Sequence, residues 1–116
     1  MKRITVYEKP TCTTCRNVSK ILIEKGIDFS KVNYYIEPFS KTKLSSLLKK
    51  LNMKPSELLR KKEEVYKSMK LQIVTMNENE ILDMMIMNPD LVQRPIVEVG
   101  GKAILARPAE EINKLF

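Results

Sequence analysis

The sequence predicts an α/β fold in which a mixed four-stranded sheet carries a helical insertion between its second and third strands. Three stretches support this prediction: a strand–helix–strand unit at the start, a wholly helical stretch in the middle, and a strand hairpin followed by a short helix at the end. A strand–helix–strand unit forms a right-handed crossover between parallel strands. Because a hairpin pairs its strands antiparallel, the complete sheet is expected to be mixed.

The first unit is defined by a change from strand to helical spacing. Ile4–Tyr7 is rich in β-branched and aromatic residues, and Lys9-Pro10 must end this strand. The next apolar residues repeat at helical spacing: Val18, Ile21 and Leu22. They predict a helix that begins at 13–15 and stops at Gly26. Loose alternation then predicts a second strand over Asp28–Ile36.

The insertion, at about residues 40–92, has helical signals and no strand signal. Ser40 is a suitable N-cap for its first helix, and Pro55 suits the first turn of a short second helix. Thr75 and Glu78 form a predicted capping box for a later helix. The methionines near the end of that helix are expected to fill the core rather than to bind a metal: Met84, Met85 and Met87.

The end of the chain returns to strands. Ile96–Val99 and Ala103–Ala106 flank a Gly100-Gly101 turn and predict the hairpin. Arg107-Pro108 opens a last helix, which has the following predicted apolar edge: Ile112, Leu115 and Phe116. This order of elements is that of a thioredoxin-like fold. In that fold a proline before the strand beside the thiol turn follows a cis peptide bond, so Pro95 is a cis-proline candidate.

Length and composition limit the class of protein. The 116 residues suit one domain, 1–116, and the chain contains no histidine, which removes the most common general base and zinc ligand. Two cysteines three residues apart argue against a secreted disulfide scaffold, because a bridge across so short a loop stabilises little. The N-terminus is too poor in apolar residues for a signal peptide and no apolar run could span a membrane, so a cytoplasmic location is expected.

The net charge of +7 arises mainly in residues 41–70, which are rich in lysine. One interpretation is a surface for an acidic partner or for nucleic acid. Tyr66 is the only aromatic residue among these lysines, and direct nucleic-acid binding is therefore not expected. We favour the simpler interpretation of solvated helix faces.

Cys12 and Cys15 lie at the predicted join of the first strand and the first helix. Unpaired N–H groups at a helix N-terminus favour the thiolate, and Arg16, one turn beyond Cys12, adds a cation. Half a zinc site is a poor interpretation, since the chain offers no further cysteine and no histidine. Two inert core cysteines are an alternative, but the polar, turn-forming neighbours favour a reactive dithiol.

Arginine is scarce in this lysine-rich chain: Arg3, Arg16, Arg60, Arg94 and Arg107. Where lysine is the usual cation, an arginine indicates that its planar fork is needed, for example to bind an oxyanion through two hydrogen bonds. Arg94 and Arg107 each precede a proline at a strand boundary, which restricts the local backbone. In a thioredoxin-like fold both boundaries can lie near the cysteines.

Taken together, these residues resemble the ArsC family, the arsenate reductases linked to glutaredoxin. The resemblance runs from Ile4 to the last helix and includes the strand and turn that end at Cys12. It also includes three arginines in these contexts: Leu58-Leu59-Arg60-Lys61, Arg94-Pro95-Ile96-Val97 and Arg107-Pro108. A cysteine with three arginines at these spacings is a more specific signal than Cys-x-x-Cys alone.

The resemblance implies that the Cys12 thiolate attacks the arsenic of a bound arsenate. Three arginines would hold the oxyanion and stabilise its charge: Arg60, Arg94 and Arg107. A second thiol then reduces the adduct to arsenite. The resemblance further implies a thiol donor as co-substrate, either glutathione with glutaredoxin or thioredoxin, and no bound cofactor.

Two positions depart from the family pattern. Glu8 stands where these reductases commonly have histidine, and a carboxylate there is expected to raise the pKa of Cys12 and to repel arsenate. Cys15 stands where they have serine, and it is expected to resolve the Cys12 adduct by forming a disulfide.

Two other functions fit the same dithiol. Cys-x-x-Cys followed by arginine is also similar to the Spx regulators of this family, which bind RNA polymerase and sense disulfide stress. Arg107 is expected in the reductases and not in the regulators, so we favour an arsenate reductase. A general thiol–disulfide reductase is the third alternative, and it needs none of the arginines.

Overall fold

The computed structural model describes residues 3–115. Its sheet is built from the following strands: β1 Ile4–Glu8, β2 Ser30–Asn33, β3 Ile96–Val99 and β4 Lys102–Leu105. They lie in the order β2-β1-β3-β4. β1 and β2 are parallel, whereas β3 pairs antiparallel with both β1 and β4. The predicted α/β fold with a mixed four-stranded sheet is therefore confirmed.

The chain divides into two units. The first comprises the chain up to Glu37 and from Arg94 onward, and the second is Pro38–Gln93. The first unit contains the sheet, helix α1 (Thr13–Glu24) and a 3₁₀ helix (Ala109–Leu115). The second holds the helices that follow β2, where the sequence predicts an insertion at about 40–92. That the chain forms a single domain stays a prediction.

One face of the sheet packs against α1 and the 3₁₀ helix. Because side chains alternate along a strand, Ile4 and Val6 of β1 point to this face together with Val97 of β3. They pack on the buried stripe of α1: Val18 and Leu22. Tyr7 and Glu98 point to the opposite face, where the Tyr7 hydroxyl donates a 2.8 Å hydrogen bond to Oε1 of Glu98.

The second strand is shorter than predicted. It ends at Asn33, and the residues from there to Glu37 form a turn. The Asn33 side chain accepts a 3.0 Å hydrogen bond from the backbone N–H of Tyr35. Its carbonyl oxygen accepts from the N–H groups of Ile36 and Glu37. Asparagine favours such turns because its side chain imitates a backbone acceptor, and this local preference overrides the alternating pattern.

The helices of Pro38–Gln93 are α2 Lys41–Leu51, α3 Pro55–Leu58, α4 Glu64–Ile73 and α5 Glu78–Met87, followed by a 3₁₀ turn at Pro89–Leu91. Ser40 caps α2 as predicted, because its hydroxyl accepts a 3.0 Å hydrogen bond from the Lys43 N–H. The central helix of this unit is α5, which packs against both α2 and α3. Its inward residues are Ile81, Leu82 and Met85.

The capping box of α5 is formed by Asn77 and Glu80, two residues after the predicted pair of Thr75 and Glu78. Asn77 is the N-cap: its Oδ1 accepts from the Glu80 N–H at 2.9 Å, and Oε1 of Glu80 accepts from the Asn77 N–H at 3.1 Å. The Thr75 hydroxyl instead donates to the Gln72 carbonyl at 2.8 Å. Thr75 with Glu78 has the same spacing, but asparagine is at least as good an N-cap as threonine.

The methionine prediction is correct for one residue and wrong for another. Met85 is buried, whereas Met87 is 75% exposed because it lies at the C-terminal end of α5, away from the inward stripe. Met84 is partly buried.

The last helix is a 3₁₀ helix rather than an α-helix. The Glu111 N–H donates to the Pro108 carbonyl three residues earlier, at 3.0 Å. So short a segment gains little from α-helical propagation. Ile112 is buried as predicted, and Leu115 packs at the edge of the core, while Phe116 lies outside the described residues. Over residues 3–115, no helix is both long and apolar enough to cross a membrane.

Candidate active site

Cys12 occupies the N-cap position of α1. Pro10 follows the end of β1, and the chain then turns so that the Cys12 N–H donates a 2.9 Å hydrogen bond to the Lys9 carbonyl. The backbone of Cys12 is extended, with φ −78° and ψ 123°. Its carbonyl accepts the first helical hydrogen bond from the Arg16 N–H at 3.1 Å. The Cys12 side chain therefore starts beside the N–H groups of the first helical turn, which have no partner within the helix.

The surroundings of Cys12 favour its thiolate. Burial of the sulfur opposes ionisation, but the backbone N–H and thiol of Cys15 and the guanidinium of Arg94 together lower the pKa of Cys12 below its ordinary value. The side chain is only partly buried. An accessible sulfur with a lowered pKa is the reactive form of a cysteine.

Cys15 has the opposite character. It is fully buried, one turn into α1. Burial is the main cause that raises the pKa of Cys15 to about 12, and the hydrogen bond to Cys12 adds to it. The backbone N–H of Lys9 acts in the other direction. The pair thus combines an ionisable outer sulfur with an inner thiol that keeps its proton.

Arg94 is the cation that acts on Cys12. Its guanidinium hydrogen-bonds the Cys12 sulfur and attracts its negative charge. Arg94 is only 5% exposed. Burial favours loss of its charge, but the hydroxyls of Tyr34 and Tyr35 outweigh this and raise the pKa of Arg94 above its ordinary value. Nη1 donates to the Tyr35 hydroxyl at 3.5 Å, and the peptide bond to Pro95 is cis.

Arg107 binds the backbone of Arg94. Its Nη1 donates a 2.9 Å hydrogen bond to the Arg94 carbonyl. The neighbouring Ala106 N–H donates to the Pro95 carbonyl at 3.0 Å, and the Arg107–Pro108 peptide bond is also cis. Arg107 therefore holds the segment that carries Arg94, and its half-buried side chain lies at the end of the β3–β4 hairpin.

Two other arginines were predicted for the site. Arg16 is exposed on α1, where water and salt screen its charge, so Arg94 supplies the cation that the sequence assigned to Arg16.

Arg60 belongs to the second unit. Its Nε forms a 2.7 Å ion pair with Oε1 of Glu63, and its backbone N–H donates to the Leu91 carbonyl at 2.7 Å. Its role as an oxyanion ligand stays a prediction.

Glu8 is a buried carboxylate at the end of β1. It is 4% exposed, and burial raises its pKa while Lys31 acts in the opposite direction. Its negative charge contributes to the raised pKa of Cys15. The rise expected for Cys12 is not observed, because the pKa of that residue is lowered. The charge of Glu8 therefore acts on the pKa of Cys15, the inner thiol.

Tyr34 and Tyr35 are site residues that the sequence analysis missed. Burial raises the pKa of Tyr34 well above its usual range, so its hydroxyl stays protonated beside Arg94. The two rings lie 5.1 Å apart, and Nζ of Lys9 lies 5.0 Å from the centre of the Tyr35 ring. The available signal was an adjacent tyrosine pair directly after the turn-forming Asn33, in a chain with four tyrosines.

These groups together form a nucleophile beside a fixed positive charge. A thiolate next to a buried guanidinium can attract an anionic electrophile and attack its central atom. Within residues 3–115, no group of three or more cysteine, aspartate or glutamate side chains is arranged to hold a metal ion.

Comparison with known proteins gives consistent matches over almost the whole chain. The model of the ArsC family matches residues 7–115. The protein YfgD of Escherichia coli strain K12 is 36% identical over 115 residues, which cover 98% of this chain and 97% of that protein. An arsenate reductase of Neisseria meningitidis is 30% identical over 117 residues, which cover 100% of both chains.

The fold is matched equally well by a solved structure. An arsenate reductase from Vibrio cholerae superposes with a TM-score of 0.92 at 27% sequence identity, and the match covers 99% of this chain and 98% of that one. A thioredoxin-like arrangement of this kind agrees with the predicted fold class.

Proposed function

This chain belongs to the ArsC family, and we propose that it is a thiol-dependent arsenate reductase in which Cys12 is the nucleophile. Arsenate is a tetrahedral oxyanion whose arsenic can be attacked by a thiolate. The observation that carries the proposal is the lowered pKa of Cys12 beside the buried, charged Arg94. The relatives named as arsenate reductases supply the substrate class.

The first step forms a bond between the Cys12 sulfur and arsenic. The thiolate attacks arsenate, one arsenic oxygen leaves as water after protonation, and a thio-arsenate adduct remains. Arsenic is still in its oxidised state at this point. Arg94, which already hydrogen-bonds the sulfur, is the group that we assign to stabilise the negative charge on the arsenate oxygens.

The second step transfers two electrons to arsenic. The Cys15 sulfur attacks the Cys12 sulfur, a disulfide forms between them, and arsenite leaves with the electron pair of the broken sulfur–arsenic bond. An external thiol donor, either glutathione with glutaredoxin or thioredoxin, then reduces the disulfide. Each turnover therefore consumes two reducing equivalents and regenerates both thiols.

The other arginines have separate proposed roles. The hydrogen bond from Arg107 to the Arg94 carbonyl supports a positioning role, in addition to any contact with the oxyanion. Arg60 is proposed as an oxyanion ligand on the family resemblance alone. Its ion pair with Glu63 uses Nε, so the Nη groups are the donors that we assign to arsenate.

The proposal is tested by measuring arsenite formation with purified, reduced protein. We expect turnover with one of the two donor systems, and Cys12→Ser is expected to abolish it. Arg60→Ala is expected to raise the KM for arsenate by roughly one to two orders of magnitude, since a charge-assisted hydrogen bond contributes about 1.5–3 kcal/mol. The matched control is Lys61→Ala, which removes a neighbouring exposed charge.

One result would contradict the proposal, and another would contradict only the role of Arg60. Reduction of small disulfides without any arsenite formation would identify a general thiol–disulfide reductase. An unchanged arsenate dependence in Arg60→Ala would remove Arg60 from the site while leaving Cys12 in place.

A further inference from the structure

Glu8 is a buried ionisable group with no assigned part in oxyanion binding. It is 4% exposed, and its Oε1 accepts no hydrogen bond from any residue that the structure describes. A buried carboxylate oxygen without a hydrogen-bond partner is strongly unfavourable if it is ionised. Such a group requires a physical explanation.

The position of Glu8 follows from the alternation of β1. Ile4 and Val6 point to the face that packs on α1, so Glu8, two residues further on, points to the same face. Since α1 runs back over β1 after the turn, its N-terminal end lies above the C-terminal end of that strand. The buried stripe of α1 begins there with Cys15 and continues with Val18. Glu8 and Cys15 therefore lie at the same end of one layer.

Few charged groups face Glu8. On β2, Lys31 pairs in register with Val6 and its charge acts on Glu8. From α1 the buried Cys15 faces this region, and β3 contributes the apolar Val97. Burial raises the pKa of Glu8, while burial and the Glu8 charge raise that of Cys15. The Glu8 carboxylate thus lies close enough for its charge to act on the Cys15 thiol, and its raised pKa makes it a stronger base than an exposed carboxylate.

We propose that Glu8 is the proton acceptor for Cys15 when Cys15 attacks the sulfur of a Cys12 mixed disulfide. The Cys15 proton moves to the Glu8 carboxylate as the Cys15–Cys12 sulfur–sulfur bond forms. The bond between Cys12 and the outgoing sulfur breaks, and that sulfur leaves as a thiolate with the electron pair of the broken bond. Cys15 is oxidised while the outgoing thiol is reduced, so the exchange balances. This inference rests on the proposed function only in giving Cys15 a resolving role.

The exchange can be measured without arsenate by using dithiobis(nitrobenzoate) as the oxidant. The Cys12 thiolate attacks this disulfide and releases a first thionitrobenzoate at a rate proportional to reagent concentration. Cys15 then expels a second thionitrobenzoate from Cys12 at a rate that does not depend on the reagent. Both phases are followed by the absorbance of the released thiolate. Failure of arsenate reduction therefore leaves this test unaffected.

Glu8→Gln is the informative variant because it keeps the volume of the side chain. We expect the first phase to be unchanged and the second to slow by at least about tenfold near neutral pH. In the wild type the second phase should level off above the pKa of Glu8. In Glu8→Gln it should keep rising with pH toward the ionisation of Cys15. Glu8→Asp is expected to recover part of the rate.

A matched control lies on the other face of the same sheet. Glu98 is also a buried carboxylate, but it accepts a 2.8 Å hydrogen bond from Tyr7. Glu98→Gln is expected to leave the second phase unchanged, and Cys15→Ser is expected to release only the first thionitrobenzoate. Equal slowing in Glu98→Gln would indicate a general loss of core packing and overturn the proposal.

Whether Glu8→Gln slows or accelerates the second phase distinguishes a Glu8 that accepts the proton from a Glu8 that acts only through its negative charge. If Glu8 acted only by its charge, its removal would lower the pKa of Cys15 and the second phase would become faster. A second phase that is faster or unchanged in Glu8→Gln, in protein with a wild-type circular dichroism spectrum, would overturn the proposal.

Discussion

Replacing Arg94 by methionine isolates the charge that acts on Cys12. Methionine has a similar length and removes both the hydrogen bond to the sulfur and the positive charge. A charge-assisted hydrogen bond contributes about 1.5–3 kcal/mol, and 1.36 kcal/mol corresponds to about one pKa unit. Because Cys12 is partly exposed and its interactions are screened, we take the lower end of this range. The pKa of Cys12 is therefore expected to rise by about one unit.

The pKa of Cys12 is measured from the pH dependence of alkylation by iodoacetamide, in a Cys15→Ser background that leaves one thiol. Below the pKa, Arg94→Met should alkylate about tenfold more slowly than its parent, since the thiolate is the reacting form. Arg16→Met is the control, because an exposed charge should change the pKa by less than about half a unit. An unchanged pKa of Cys12 in Arg94→Met, or an equally large shift in Arg16→Met, would show that Arg94 is not the cation that lowers the pKa of Cys12.

Four further variants test other parts of the structure by urea denaturation. Arg107→Lys keeps the charge but loses the 2.9 Å bond to the Arg94 carbonyl, and we expect a loss of about 1 kcal/mol in unfolding free energy; no loss would argue against a positioning role. Asn77 is the N-cap of α5, so Asn77→Ala should lower the free energy of unfolding by about 1 kcal/mol, and Thr75→Ala should lower it clearly less. A larger loss in Thr75→Ala than in Asn77→Ala would indicate that Thr75 is the N-cap. Burial raises the pKa of Glu8 above its ordinary 4.5, so its contribution to stability is present below that pH and is lost as pH rises through the folded-state pKa. The free energy of unfolding of Glu8→Gln should therefore equal that of the wild type at acidic pH and exceed it at neutral pH. Equal free energies of unfolding at both pH values would contradict the raised pKa of Glu8.

Most of the strand ends, helix caps and turns could be predicted from the sequence because they depend on residues close together in the chain. Pro10 had to end β1, Ser40 had to cap α2 or leave an N–H without a partner, and the hairpin at residues 96–105 needed a glycine turn. The errors arose where two local signals competed. Strand β2 ends at Asn33 because the Asn33 side chain forms a turn. Thr75 and Asn77 both have a glutamate at capping-box spacing, and Asn77 is the one that caps α5.

The candidate site was predictable only in part. Cys12 at a helix start and Arg94 before a proline are sequence signals with direct physical meaning. The contacts of Arg94 with Tyr35 and of Arg107 with the Arg94 backbone depend on chain segments distant in sequence, so no local pattern reveals them. The burial of Glu8 likewise depends on how α1 packs on the sheet.

The most direct test of the account is a single turnover of arsenate by the reduced protein without any thiol donor. If Cys12 attacks arsenic and Cys15 resolves the adduct, arsenite and the Cys12–Cys15 disulfide should form in equal amounts, as measured by arsenic speciation and intact mass. Arsenite formed with both thiols still free, or no arsenite while both thiols are fully reduced and reactive, would contradict the account.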